Sequence, residues 1–79
     1  MADELGPTPQ QLGRHLETLR ENAGLTVDQL AERAGLSRDR VLLIECGAID
    51  PGLEELTLYA RGLNLPLSKV FRSLENKLN

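Results

Sequence analysis

Cysteine, histidine and aromatic residues are nearly missing from this chain, which holds one Cys, one His, one Tyr, one Phe and no Trp in 79 residues. Each scarcity closes a route. With Cys46 alone, no intramolecular disulfide can staple the fold, and Cys46 with His15 falls short of the four Cys or His ligands that a structural zinc site ordinarily takes. No apolar run approaches the roughly 20 residues needed to span a bilayer. The N-terminus lacks the basic, apolar and small-residue pattern of a secretory signal. A reduced cytoplasmic protein with no membrane attachment is therefore expected. Positive charge is short as well: nine Lys and Arg stand against twelve Asp and Glu, a net charge of −3. That sign opposes attachment to nucleic acid by bulk electrostatics and leaves a local basic patch as the only means. A chain of this length holds one domain. Small domains bury a modest fraction of their surface, so leucine-rich packing, alone or helped by association, must hold it together.

What the sequence does have is a series of helix signals. Residues 1–7 are acidic, carry Gly6 and Pro7, and read as a flexible leader. Thr8 as N-cap, Pro9 at the first helical position and Gln11 behind it make a capping box. Leu12, Leu16 and Leu19 then form one apolar stripe on a first helix that Gly24 stops. Thr26 and Gln29 repeat the box and open a short second helix with Val27, Leu30, Ala31 and Ala34 inward. Gly35 and Leu36 lead to Ser37, the N-cap of a third helix that buries Val41 and Ile44 and stops at Gly47. Beyond a turn at Asp50, Pro51 and Gly52, a fourth helix is read from Leu53, Leu56, Ala60 and Leu63. A fifth follows from Leu67, Val70, Phe71 and Leu74. Strand-like alternation, repeats and low-complexity segments are absent. The expected architecture is all-α: five helices over residues 8–75, with 76–79 as a tail.

Two short helices joined by a tight glycine-containing turn, here between Val27 and Cys46, form a helix-turn-helix. Ala31 is small where helices two and three cross. Gly35 sits where the turn needs a left-handed backbone, which costs a residue with a side chain roughly 1 kcal/mol or more. Leu36, Val41 and Ile44 plug the third helix onto the others. Together with Leu19-Arg20, Gly24-Leu25-Thr26, Ser37-Arg38, Ile44-Glu45, Gly47, Pro51 and Leu67 to Phe71, these residues resemble the Cro/C1-type (XRE) helix-turn-helix family across Leu12 to Phe71. Phage repressors, restriction–modification controller proteins and many small bacterial regulators make up this family. The resemblance implies a lambda-repressor-like five-helix domain that binds operator DNA as a homodimer, with helix three in the major groove and no cofactor. It further implies a partly buried salt bridge between Arg20 and Glu45.

Helix three departs from the family pattern on the face it would turn to DNA. At about 100° per residue, with Val41 and Ile44 facing the core, the opposite stripe is Asp39, Leu42, Leu43 and Cys46, flanked by Arg38 and Arg40. The family's stripe is mostly polar; this one is largely apolar. Val27 stands where the family often has glutamine, and Cys46, Ala48 and Ile49 where it commonly has basic residues. Two readings follow. In the first, DNA is bound: Thr26, Ser37 and helix N-terminal amides meet phosphates, Arg38 and Arg40 supply guanine or phosphate contacts, Asp39 accepts from a cytosine amino group, and Leu42 or Leu43 packs on thymine methyls. In the second, Leu42, Leu43 and Ile49 form an apolar face that docks a protein.

Leu58 is expected on the outer face of helix four. With Leu65, Lys69 and Leu74 it forms the expected dimer surface, because similar regulators often pair there. Each of these residues also has a plain structural use: Thr26 and Ser37 as caps, the arginines as solvated surface, Leu58 covered by the C-terminal tail. His15 is expected to be partly buried beside the first stripe, and Arg40 to pair near Asp39 or with Glu32. Tyr59 is placed at the core edge. No nucleophile–base pair, glycine-rich phosphate loop or metal cluster is evident in the sequence, so an enzyme is not expected.

Overall fold

Every helix-start signal opens a helix. In a computed structural model that describes residues 7–78, with side chains through residue 76, the order is α1 (Pro9–Asn22), α2 (Val27–Ala34), α3 (Arg38–Glu45), α4 (Leu53–Gly62) and α5 (Leu67–Leu78). Among the described residues there is no strand. Of the leader expected at 1–7 only Pro7 falls within this range, and α5 runs through most of the stretch expected as a tail.

Local chemistry accounts for the boundaries. Thr8 and Thr26 both close reciprocal capping boxes: each hydroxyl accepts from the backbone of Gln11 or Gln29 at 3.1 Å, and each glutamine side chain accepts from the cap residue's N–H. Ser37 caps α3 by accepting from the Arg40 N–H. Between α2 and α3, Gly35 adopts φ 72°, ψ 28°, the left-handed cap that the motif requires. At the start of α4, Gly52 has no side chain with which to cap.

The core is a continuous apolar cluster drawn from all five helices. Leu16, Leu30, Val41, Ile44, Tyr59 and Val70 are its fully buried members. Leu12, Ala31, Ala34, Leu56, Ala60 and Leu63 complete the stripes read from the sequence. Leu53 is an exception: the fourth-helix stripe was expected to begin there, yet it is 70% exposed, because the buried face of α4 is set from Leu56 onward. Close crossings are made by small residues. A Cβ added to Gly13 would lie 2.4 Å from the Ile44 carbonyl oxygen, and one added to Gly62 would meet Leu30 Cδ2 at 2.9 Å. These contacts bring α1 onto the end of α3 and α4 onto α2, leaving the other face of α3 outward.

Candidate nucleic-acid interface

One buried ionic assembly fixes the position of α3. Arg20, the last basic residue of α1, donates from Nε to Glu45 Oε2 at 2.8 Å and from Nη2 to Oε1 at 3.1 Å. Its Nη1 donates to the Leu25 carbonyl at 2.7 Å, tying in the loop before α2. From α4, the Tyr59 hydroxyl donates to Glu45 Oε2 at 2.5 Å, with the Leu16 carbonyl 3.2 Å away. Arg20 and Glu45 side chains are 10% and 4% exposed. The hydrogen bond to Glu45 holds the Arg20 pKa above its ordinary value, against the opposing pull of burial. Burial first, and the Glu45 carboxylate second, push the Tyr59 pKa strongly upward. The end of α1, the end of α3 and the middle of α4 are thus joined through one carboxylate, and Arg20 ties the α1–α2 loop to the same assembly.

The outward face carries the expected stripe. Asp39, Leu42, Leu43 and Cys46 line a shallow groove of about 480 Å³ whose walls are almost wholly apolar, with Leu42 and Leu43 each 39% exposed. On the α1 side of Leu42, a second hollow of about 580 Å³ is more polar and includes Gln10, Arg14, Glu17 and Thr18. Thr26, Ser37, Arg38 and Asp39 are all exposed at the starts of α2 and α3. Because Thr26 and Ser37 use their oxygens as acceptors for the caps, their own O–H groups remain available to donate outward.

The arginines flanking the stripe are both ion-paired. Arg38 Nε lies 2.8 Å from Asp28 Oδ1, linking the start of α3 to the start of α2, and both side chains are largely exposed. Arg40 makes a two-pronged contact with Glu55 of α4: Nε to Oε2, and Nη2 to Oε1 at 3.0 Å. That hydrogen bond raises the Arg40 pKa and holds the Glu55 carboxyl below its usual range. The Arg40 partner is therefore Glu55, not Glu32 or a neighbour of Asp39.

Other expectations need correction. Leu74 is 3% exposed and belongs to the core, so it is not part of an open dimer surface. Leu58 and Leu65 are half-buried and pack against the core, leaving Lys69 as the exposed member of that set. Ile49 also packs on the core and lies outside the apolar groove, whose fourth wall is Cys46. Tyr59 is not at the core edge; it is fully buried at the centre of the ionic assembly. His15 is almost fully buried and pairs through Nε2 with Ser73 Oγ at 2.7 Å, joining α1 to α5. Two contributors were missed, Gly13 and Glu55. A glycine inside an amphipathic helix is costly enough to signal a close approach, whereas nothing in the linear sequence distinguishes the partly buried Glu55 from the other acids.

This geometry is that of a helix-turn-helix domain, and similarity to known proteins agrees. The profile of a family described as helix-turn-helix domain matches residues 11–70. The chain belongs to that family and has the fold of XRE-type DNA-binding transcription regulators. Among solved structures, the wild-type restriction–modification controller protein C.Esp1396I is 21% identical, with a TM-score of 0.83 over 89% of this chain and 91% of that one. The controller protein C.AhdI from Aeromonas hydrophila is 28% identical, with a TM-score of 0.76 over 80% and 96%. An HTH_3 family transcriptional regulator from Vibrio cholerae is 31% identical over 82% of this chain and 36% of its own, with a TM-score of 0.76. No curated protein matches the sequence. Among the described residues, no helix is long and apolar enough to cross a membrane, and no group of three or more His, Cys, Asp or Glu is placed to hold a metal ion.

Proposed function

We propose that this protein is a transcriptional regulator that binds double-stranded operator DNA as a homodimer, with α3 in the major groove and α2 across the adjoining backbone. The observation that carries the reading is the open stripe of α3. Asp39, Leu42, Leu43 and Cys46 face outward along one side of a helix that the Arg20–Glu45–Tyr59 assembly holds rigidly from behind. Leu42 and Leu43 are suited to the 5-methyl edge of thymine, and Asp39 to a cytosine amino group, so the stripe reads base edges mainly through methyl groups. Thr26 and Ser37 donate to phosphates, and Arg38 and Arg40 reach bases or phosphates once their carboxylate partners release them. The two-fold dimer would use the surface about Lys69, with the partly covered Leu58 and Leu65 at its edge.

Retention of duplexes from a mixed genomic DNA pool at low salt tests the reading. Wild-type protein is expected to enrich a defined set of duplexes, and Arg38→Ala and Arg40→Ala to weaken binding to them. Absence of retention at low salt overturns DNA binding. Sedimentation as a clean monomer at high micromolar concentration removes the homodimer.

A further inference from the structure

The starts of α2, α3 and α4 meet at the candidate interface, and their charges are arranged in an unexpected way. The two cations at the head of α3 are each held by a carboxylate from a different helix, Arg38 by Asp28 and Arg40 by Glu55. Carboxylate oxygens lie against these guanidinium groups as phosphate oxygens would. Two further acids, Glu32 and Asp39, stand exposed on α2 and α3 in no ion pair among the described residues.

We propose that Asp28 and Glu55 are specificity-determining residues, internal stand-ins for phosphate that keep Arg38 and Arg40 away from the DNA backbone until the operator is engaged. The inference rests on the DNA-binding reading above and adds a selectivity device to it. Non-specific binding is almost entirely phosphate electrostatics, so engaging these two cations internally removes much of it. Binding to the operator keeps the base-edge contacts of Asp39, Leu42 and Leu43, which do not depend on free arginines. The pairs are also exchangeable. Arg38 and Asp28 side chains are 61% and 73% exposed, and exposed ion pairs are held weakly. A phosphate presented at the right place can replace Asp28, whereas a poorly fitting duplex cannot. Glu55 grips through two contacts and is less exposed, so Arg40 is the more firmly withheld of the two.

The test is a comparison of Asp28→Asn, Glu55→Gln and the double variant with wild-type protein, on a random-sequence duplex and on a duplex enriched from the genomic pool. Thermal melting followed by circular dichroism checks that each variant is folded. On the random duplex, each single substitution is expected to tighten binding by roughly threefold to tenfold at low salt. It should also steepen the logarithmic salt dependence by about 0.9 for each arginine freed to a phosphate. On the enriched duplex the gain is expected to be smaller, so the ratio of specific to random binding falls. Removal of an acid anywhere near DNA tightens binding to some extent. Glu32→Gln, on the same face of α2 as Asp28, measures that general effect. The discriminating result is dependence on the partner: in an Arg38→Ala background the Asp28→Asn gain is expected to shrink to that of Glu32→Gln. An equal gain in both backgrounds, or no gain, overturns the proposal while leaving DNA binding intact. If neither wild-type protein nor Asp28→Asn/Glu55→Gln binds any duplex at 20 mM salt (about twice the concentration at which the Debye length is 30 Å), both readings fall together.

Discussion

At Glu45, two carboxylate oxygens serve three donors from two helices: Nε and Nη2 of Arg20, and the Tyr59 hydroxyl. Removal of one member of a buried pair leaves the other charged, unpaired and away from water, at a cost of about 3–5 kcal/mol. Glu45→Ala is therefore expected to cost about 3 kcal/mol and to lower the melting temperature by about 12 °C or more, and an unchanged melting curve would contradict the pairing. Tyr59 gives a subtler test through pH. Its folded-state pKa lies above the ordinary value of 10.0, chiefly because burial penalises the phenolate and secondarily because its hydrogen bond to the Glu45 carboxylate holds the proton in place. The neutral phenol is then favoured by folding, so its contribution is fully present below about pH 10 and is lost as pH rises and the unfolded chain ionises. Tyr59→Phe is expected to lose about 2 kcal/mol at neutral pH, the worth of one hydrogen bond to a charged group. The gap to wild type should narrow above pH 10, because only the wild-type protein has this phenol to titrate. Denaturant titrations at neutral and alkaline pH check both parts; a gap that widens with pH would place the ionised form in the folded state.

The elements were legible where the period of a helix and its caps speak directly. Thr8, Thr26 and Ser37 start helices as expected, Gly35 turns the motif, and Val41 and Ile44 orient α3, because each follows from a local rule. Contacts between elements were less accessible. The partners of Arg38 and Arg40 depend on how the starts of α2 and α4 are brought beside α3, a tertiary placement that no spacing encodes. Leu58 was read as surface because the face of a helix can be inferred from its own stripe only when no other helix covers the opposite side, whereas Leu74, already in the stripe of the fifth helix, was assigned to the dimer surface by likeness to similar regulators alone. The pair Arg20–Glu45 was readable only through family resemblance. Gly13 shows what element packing demands. Gly→Ala inside a helix ordinarily gains about 1 kcal/mol in propensity. Here the new Cβ would sit 2.4 Å from the Ile44 carbonyl oxygen and 2.6 Å from that of Glu45, both backbone atoms at the end of α3. Overpacking of this kind costs about 1–3 kcal/mol or more, and backbone cannot swing aside as a side-chain tip can. Gly13→Ala is expected to destabilise the protein despite the propensity gain and, by tilting α3, to weaken DNA binding as well. A higher melting temperature would mean that α1 and α3 separate more easily than this crossing implies.

For the whole molecule, charge and dimension decide how it approaches a polyanion. The net charge is −3, and the longest axis is 37 Å against 22 and 20 Å for the others. The Debye length is about 30 Å at 0.01 M salt and about 10 Å at 0.1 M. In dilute salt, then, DNA senses nearly the entire acidic molecule, whereas at 0.1 M it senses chiefly the face nearest to it. Proteins steered by a basic surface associate more slowly as salt is added, because the attraction guiding them is screened. This protein is expected to show the reverse at the low end of the range. Added salt first screens the repulsion of its net negative charge, so the association rate should stay level or rise between 0.01 and 0.1 M. Dissociation should accelerate throughout, because the phosphate contacts that hold the complex are short-range and compete with ions. Stopped-flow anisotropy with an enriched duplex separates the two rates. An association rate falling steeply from 0.01 M upward would mean that the cations at the head of α3 already project an attractive field. In that case Asp28 and Glu55 could not be withholding them in the free protein.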